Sequence, residues 1–163
     1  MGGSFDPAHK GHLTISKEAI KRFGLQSVVW AITKKNPFKK NTYTSLDNRI
    51  KNCKKIIGSS KLIKVKFYED IIKSNKTLDL INHISKNKKY EIYFIMGADN
   101  LITFHKWYKW KLISRKCKII VFDRHGYKKK SLDSTSYKRL NKENLNFIEF
   151  EKVNISSSQL RKI

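Results

Sequence analysis

Ser27-Val28-Val29-Trp30-Ala31-Ile32 is a nearly continuous apolar run, rich in β-branched residues and bounded by polar segments. Such a run suits a strand buried on both faces, as the strands of a parallel sheet are. On its N-terminal side, Leu13, Ile15, Ala19, Ile20 and Phe23 keep a helical period up to Gly24, which reads as a helix stop. On its C-terminal side, Leu46, Ile50, Cys53 and Ile57 mark one face of a helix from near Ser45 to Gly58, and Leu62 to Phe67 is the next strand. Leu78, Ile81 and Ile84 form a further helical stripe. Glu91 to Met96 is a third strand, a helix is expected from about Asp99 to Ser114, and Cys117 to Phe122 and Leu145 to Phe150 are later strands. This alternation predicts an α/β fold, a doubly wound parallel sheet with helices on both faces, whose ligands sit at the carboxyl ends of the strands. At 163 residues the chain fits a single domain, 1–163.

Thirty-six Lys and Arg against 13 Asp and Glu give a formal net charge of +23. That charge attracts polyanions, and nucleic acid, a membrane surface and a phosphorylated small substrate all satisfy it. The basic residues are overwhelmingly Lys and the chain is rich in Asn and Ile, a bias that genome composition also produces. Lys128-Lys129-Lys130 reads as an exposed connection, without the interleaved aromatics that stack on bases. Cys53 and Cys117 form no C-x-x-C pair or Cys/His cluster, so each is expected to be a small buried hydrophobe, and no protein-held metal is expected. No apolar stretch approaches the length of about 18 residues of a membrane span, and the N-terminus has no secretory h-region, so a cytoplasmic protein without a membrane partner is expected.

Three stretches carry chemistry. Gly2-Gly3-Ser4-Phe5-Asp6-Pro7-Ala8-His9-Lys10-Gly11-His12 is a glycine-rich turn that delivers two histidines onto the first turn of a helix. Glycines let the backbone approach an anion, the helix start offers unpaired N–H groups, and His9 and His12 add side-chain donors three residues apart. Asp6 reads as a residue that holds the turn through local hydrogen bonds. In Ile95-Met96-Gly97-Ala98-Asp99-Asn100 a buried strand ends in a Gly-Ala turn with a carboxylate beyond it, so Asp99 is either an acceptor for ribose hydroxyls or the N-cap of the next helix. Trp107 and Trp110, three residues apart, are expected on neighbouring parts of one helix face, as core or as a platform for a planar ligand. Ile155-Ser156-Ser157-Ser158-Gln159-Leu160-Arg161 gathers hydroxyls and N–H groups at a helix start with an Arg one turn in, which suits a phosphate or is an ordinary serine cap.

The string G-G-S-F-D-P-x-H-x-G-H resembles the signature of the H-x-G-H nucleotidyltransferase superfamily. With Met96-Gly97-Ala98-Asp99-Asn100, the F-x-x-W-x-x-W of Phe104, Trp107 and Trp110, and the closing I-S-S-S-x-L-R, the chain resembles the bacterial nicotinate-nucleotide adenylyltransferases. The resemblance implies a Rossmann-like sheet and ATP and nicotinate mononucleotide as substrates, with Mg²⁺ accompanying the ATP. It implies adenylyl transfer to the mononucleotide, with release of pyrophosphate, in NAD biosynthesis. It implies ATP contacts from Gly3, Ser4 and Phe5, phosphate contacts from the catalytic His9 and His12, a triphosphate tail held by Ser157, Ser158 and Arg161, and a ribose met by Gly97 and Asp99. For the mononucleotide it implies Asn36 and Lys39 from a closing loop, Thr77, Tyr108, and Trp107 stacked on the nicotinate ring. The family's R-P-G turn stands here as Arg124-His125-Gly126.

The signature of that family follows a buried first strand, and only Met1 precedes Gly2, so the expected fold lacks its first strand and, beyond Arg161, its C-terminal helix. A shortened version of a longer enzyme is therefore expected. Two other readings compete: an adenylyltransferase with another acceptor, nicotinamide mononucleotide or phosphopantetheine, and a basic nucleic-acid-binding module. Three nucleotide motifs in order favour the enzyme with no specific nucleic-acid partner.

Overall fold

A computed structural model describes residues 1–35 and 42–150. The chain divides into two compact units, with a boundary between Asn75 and Lys76. Each is built on a three-stranded sheet in which every described pairing is parallel. This is the α/β architecture that the alternation predicts.

In the first unit β1 (Gly2–Gly3), β2 (Val28–Ile32) and β3 (Ile63–Lys66) lie in that order, with Gly2 opposite Ala31 and Val28 opposite Ile63. The strand expected to be lacking is thus present as a two-residue strand, Gly2–Gly3, within the glycine turn itself. Helix α1 (Lys10–Phe23) connects β1 to β2 and ends where Gly24 takes a left-handed conformation, φ 60°. Helix α2 (Leu46–Ile57) starts at Ser45, whose hydroxyl accepts the Asn48 N–H. Its buried residues are Arg49 and Cys53, so the buried face is centred on a charged residue that the apolar stripe omitted. A four-residue helix, α3 (Glu69–Ile72), follows β3 with no apolar periodicity to announce it.

In the second unit β4 (Tyr93–Gly97), β5 (Lys118–Phe122) and β6 (Leu145–Ile148) pair in that order, with Gly97 opposite Phe122. Ile119, Ile120, Val121 and Phe122 are all buried, so β5 is covered on both faces as a parallel strand requires. One side of the sheet meets Leu78 and Ile81 of α4 (Thr77–Ser85), Leu101 of α5 (Ala98–Thr103), Phe104, and Ile113 of α6 (Trp110–Lys116) in a common core. The single helix expected from Asp99 to Ser114 is broken. Phe104–Lys106 is a tight 3-10 turn, Trp107 is extended, and Lys109 takes a left-handed conformation at φ 48°. A residue with a Cβ carries no sequence sign of that conformation, and fully buried Phe104 holds the chain inward there.

Lys128-Lys129-Lys130, expected as an exposed connection, opens α7 (Lys128–Leu132), and α8 (Thr135–Arg139) follows it. The three lysines are exposed as expected. These helices rest on buried serines: Ser131, Ser134 and Ser136 bond to main-chain groups, so no apolar stripe marks them. Cys53 and Cys117 are free and buried, and burial pushes both thiols up to about 12, which suits small hydrophobes. Among the described residues no helix is long and apolar enough to cross a membrane.

Candidate active site

The glycine turn leaves β1 and enters α1 through Phe5, which has a left-handed backbone at φ 47° and a buried ring. That ring stacks on the fully buried Trp30 at 5.1 Å and meets the His12 ring at 4.9 Å. Trp30 donates through Nε1 to Ser16 Oγ at 2.9 Å, and Ser16 Oγ donates to the His12 carbonyl at 2.7 Å. The base of His12 is therefore fixed from β2 and from its own helix.

His9 is the N-cap of α1 and His12 its third residue, and together they form a reciprocal capping box made of two imidazoles. His9 Nδ1 accepts the Gly11 N–H at 3.1 Å, and His12 Nδ1 accepts the His9 N–H at 3.2 Å. A ring nitrogen that accepts carries no proton, so this network assigns the proton of each neutral ring to Nε2. The ring centroids are 3.8 Å apart. Two imidazole N–H donors thus stand side by side at a helix start, where sequence spacing placed them.

Asp6 is buried, with Oδ2 accepting the Tyr43 N–H and Oδ1 accepting the Thr44 hydroxyl at 2.8 Å. These two bonds tie the turn to the approach of α2. The turn's second anchor is Arg49, buried on α2 and outside the sequence-predicted set. Its guanidinium donates to the carbonyls of Ser4 at 2.8 Å, Thr33 at 2.7 Å and Lys34 at 2.9 Å. The signal for it was present: Arg49 and Cys53 are four residues apart, so a buried Cys53 implies a buried Arg49.

In the second unit Gly97 ends β4 and caps α5, and Asp99 lies in the first turn of that helix. Asp99 is therefore not the N-cap. Its Oδ2 pairs with Arg124 Nη1 at 2.9 Å, and its Oδ1 is buried with no hydrogen-bond partner among the described residues. A Cβ on Gly97 would stand 2.5 Å from that Oδ1, so glycine is required there for the carboxylate to keep its place.

Trp107 and Trp110 do not share a helix face. Trp107, half-buried, packs edge-on against Phe94 and Phe104, with centroids 6.0 and 5.2 Å away, and Trp110 meets Phe104 from its own helix at 5.9 Å. Tyr108 is exposed and carries Lys76 Nζ 4.2 Å from its ring centre, and Lys76 immediately precedes Thr77, the first residue of α4. Asn36, Lys39, Ser157, Ser158 and Arg161 lie outside the described residues.

The model of the cytidylyltransferase-like family matches residues 1–163. A probable nicotinate-nucleotide adenylyltransferase of Pelagibacter ubique is 66% identical over 163 residues, all of this chain and 91% of that protein. Another, from Agrobacterium fabrum, is 36% identical over 137 residues, covering 83% of this chain and 73% of the relative. The chain belongs to the nicotinate-nucleotide adenylyltransferase family. Its fold is similar to that of the solved Plasmodium falciparum nicotinic acid mononucleotide adenylyltransferase complexed with NaAD, with a TM-score of 0.82 at 23% identity, covering 99% of this chain and 80% of that one. That likeness places the chain in the Rossmann-like class of parallel sheets flanked by helices on both sides.

Proposed function

We propose that the chain, acting as one nucleotidyltransferase domain over 1–163, transfers the adenylyl group of ATP to nicotinate mononucleotide, releasing nicotinate adenine dinucleotide and pyrophosphate. The observation that carries the chemistry is the His9–His12 pair, with both Nδ1 atoms engaged and both protons on Nε2. The family, joined at 66% identity along the whole chain, supports the acceptor.

The reaction needs no catalytic base. The mononucleotide's phosphate has a second pKa near 6, so it is a ready nucleophile at neutral pH. What the protein must supply is alignment of two polyanions and donors for charge that develops as pyrophosphate leaves. His9 and His12 donate Nε2–H to the ATP phosphates, while the main chain of Gly3, Ser4 and Phe5 lines their approach. A Cβ at position 3 would meet the Phe5 ring at 3.5 Å and the Phe5 N at 3.9 Å, both ordinary contacts, so packing does not itself demand glycine there. Ser157, Ser158 and Arg161 hold the triphosphate tail, Gly97 and Asp99 meet the adenosine ribose, and Asn36, Lys39, Thr77, Trp107 and Tyr108 receive the mononucleotide. Mg²⁺ accompanying the ATP would supply charge screening between the phosphates. We place the enzyme in the cytoplasm, with ATP and nicotinate mononucleotide as its small-molecule partners and no specific nucleic-acid or membrane partner.

Pyrophosphate release from Mg-ATP, with nicotinate mononucleotide, nicotinamide mononucleotide and phosphopantetheine offered separately, tests the reading. Turnover with the first and little with the others is expected. Equal or greater turnover with another acceptor would reassign the substrate, and silence with all three would reject the enzyme.

Trp107→Ala separates packing from stacking. One side of the ring already rests on Phe94 and Phe104, so its loss lowers the melting temperature. If another part also stacks on nicotinate, the KM for the mononucleotide rises about tenfold or more while that for ATP stays put. A fall in stability alone would make Trp107 a core residue and no more.

A further inference from the structure

Arg124 stands two residues beyond β5, beside the end of β4, because Phe122 and Gly97 are opposite each other in the sheet. Its main chain is fixed on both sides. The Arg124 N–H donates to Asp123 Oδ1 at 2.7 Å, and the Arg124 carbonyl accepts the Tyr127 N–H at 2.9 Å across a turn that holds Gly126 at φ 80°. Asp123 is itself tied to β6, its N–H donating to the Ile148 carbonyl at 2.8 Å. The guanidinium therefore leaves from a fixed point and reaches one oxygen of Asp99, Oδ2.

Arg124 is 23% and Asp99 30% exposed, and their bond engages only one of the two carboxylate oxygens. The same geometry holds the other oxygen, Oδ1, buried without a hydrogen bond among the described residues, which costs free energy in the empty protein. Leaving out Met96 and Ala98, the described atoms within 4 Å of the point where a Gly97 Cβ would stand are Asp99 Oδ1 at 2.5 Å and Asp99 Cγ at 3.7 Å, so Oδ1 is turned toward Gly97.

We propose that Arg124 is a positioning residue that holds Asp99 Oδ2 so that Oδ1 faces the space over Gly97 and accepts a ribose hydroxyl of the nucleotide. This rests on the reading that Asp99 meets the adenosine ribose. A carboxylate turns easily about its last torsion, whose preference is broad and roughly two-fold. With one oxygen tied, the other is presented in one direction before the nucleotide arrives. Lys at this position would supply the charge without the planar fork, and so would restore the geometry only in part.

The test is steady-state turnover of ATP, 2′-deoxy-ATP and 3′-deoxy-ATP, at saturating mononucleotide, by the unaltered chain and by Arg124→Ala, Arg124→Lys and Asp99→Asn. In the unaltered chain, loss of the bonded hydroxyl should raise KM about tenfold. In Arg124→Ala the KM for ATP should rise by a similar factor with kcat little changed, and the deoxy penalty should collapse; Arg124→Lys should lie between. Asp99→Asn should also abolish the penalty. If it does so while Arg124→Ala retains the whole penalty, the positioning role is overturned and the ribose contact stands. If Asp99→Asn retains the penalty, or the unaltered chain shows none, the ribose reading falls and takes the proposal with it. Should Arg124→Ala not fold, Arg124→Lys decides, since an undiminished penalty there overturns the role.

Discussion

His12→Ala loses turnover by about two to three orders of magnitude and keeps its fold, because the ring's part in charge stabilisation is large and its part in the helix is small. Structurally the substitution removes the acceptor of the His9 N–H and a half-buried ring packed against both Phe5 and Trp30. Loss of a capping bond costs about 0.5–2 kcal/mol, and α1 remains anchored by Ile15, Ser16 and Ala19 on its buried face. His12→Gln sharpens the test. Glutamine at the third helical position is a natural capping-box partner, so this variant restores the bond to the His9 N–H without an imidazole donor at the phosphates. The expected result is a melting temperature close to that of the unaltered chain with turnover still lost, measured as pyrophosphate release at saturating ATP and mononucleotide. Recovery of turnover in His12→Gln would mean that His12 serves the helix, and unchanged turnover in His12→Ala would remove it from the phosphate site altogether.

The parts of this site that could be read in the sequence are those where local chain geometry and chemistry coincide. Gly97 ends an apolar run, so spacing alone places it at the carboxyl end of a strand, and His9 and His12 follow a glycine turn, so spacing alone places them at a helix start. Asp99 was half legible: its place was visible, but its partner lies on the following strand, and only the register of β4 against β5 reveals Arg124. Asp6 was legible as a turn holder, yet its partners Tyr43 and Thr44 come from the far side of β2. Helices α7 and α8 and the break at Lys109 were missed for another reason. Hydrophobic periodicity reports apolar faces, whereas these segments are held by buried serine hydroxyls and by one left-handed lysine.

Arg49 is the case where the pattern misleads, and it carries the largest expected effect on stability. A charged residue on an amphipathic helix is ordinarily assigned to solvent, yet here the guanidinium is 2% exposed and satisfies three carbonyls that belong to two separate segments. Ser4 lies just past β1, and Thr33 and Lys34 just past β2, so these carbonyls have run out of strand partners where the sheet ends. Only a planar group with several donors, inserted from α2, meets all three. Arg49→Ala leaves them without that donor and removes a long side chain from the interior. The expected loss is on the order of 3–5 kcal/mol, read as a lower urea midpoint. Arg49→Lys should recover only part of it, because one ammonium cannot reproduce a fork that bonds Ser4 and Thr33 through one nitrogen and Lys34 through another. The effect should also reach the chemistry, since the Ser4 carbonyl belongs to the turn that sets His9 and His12. At a temperature where Arg49→Lys remains folded, its turnover should fall while its affinity for the mononucleotide holds. A variant as stable as the unaltered chain would show that solvent reaches these carbonyls, and that the end of the sheet closes without Arg49.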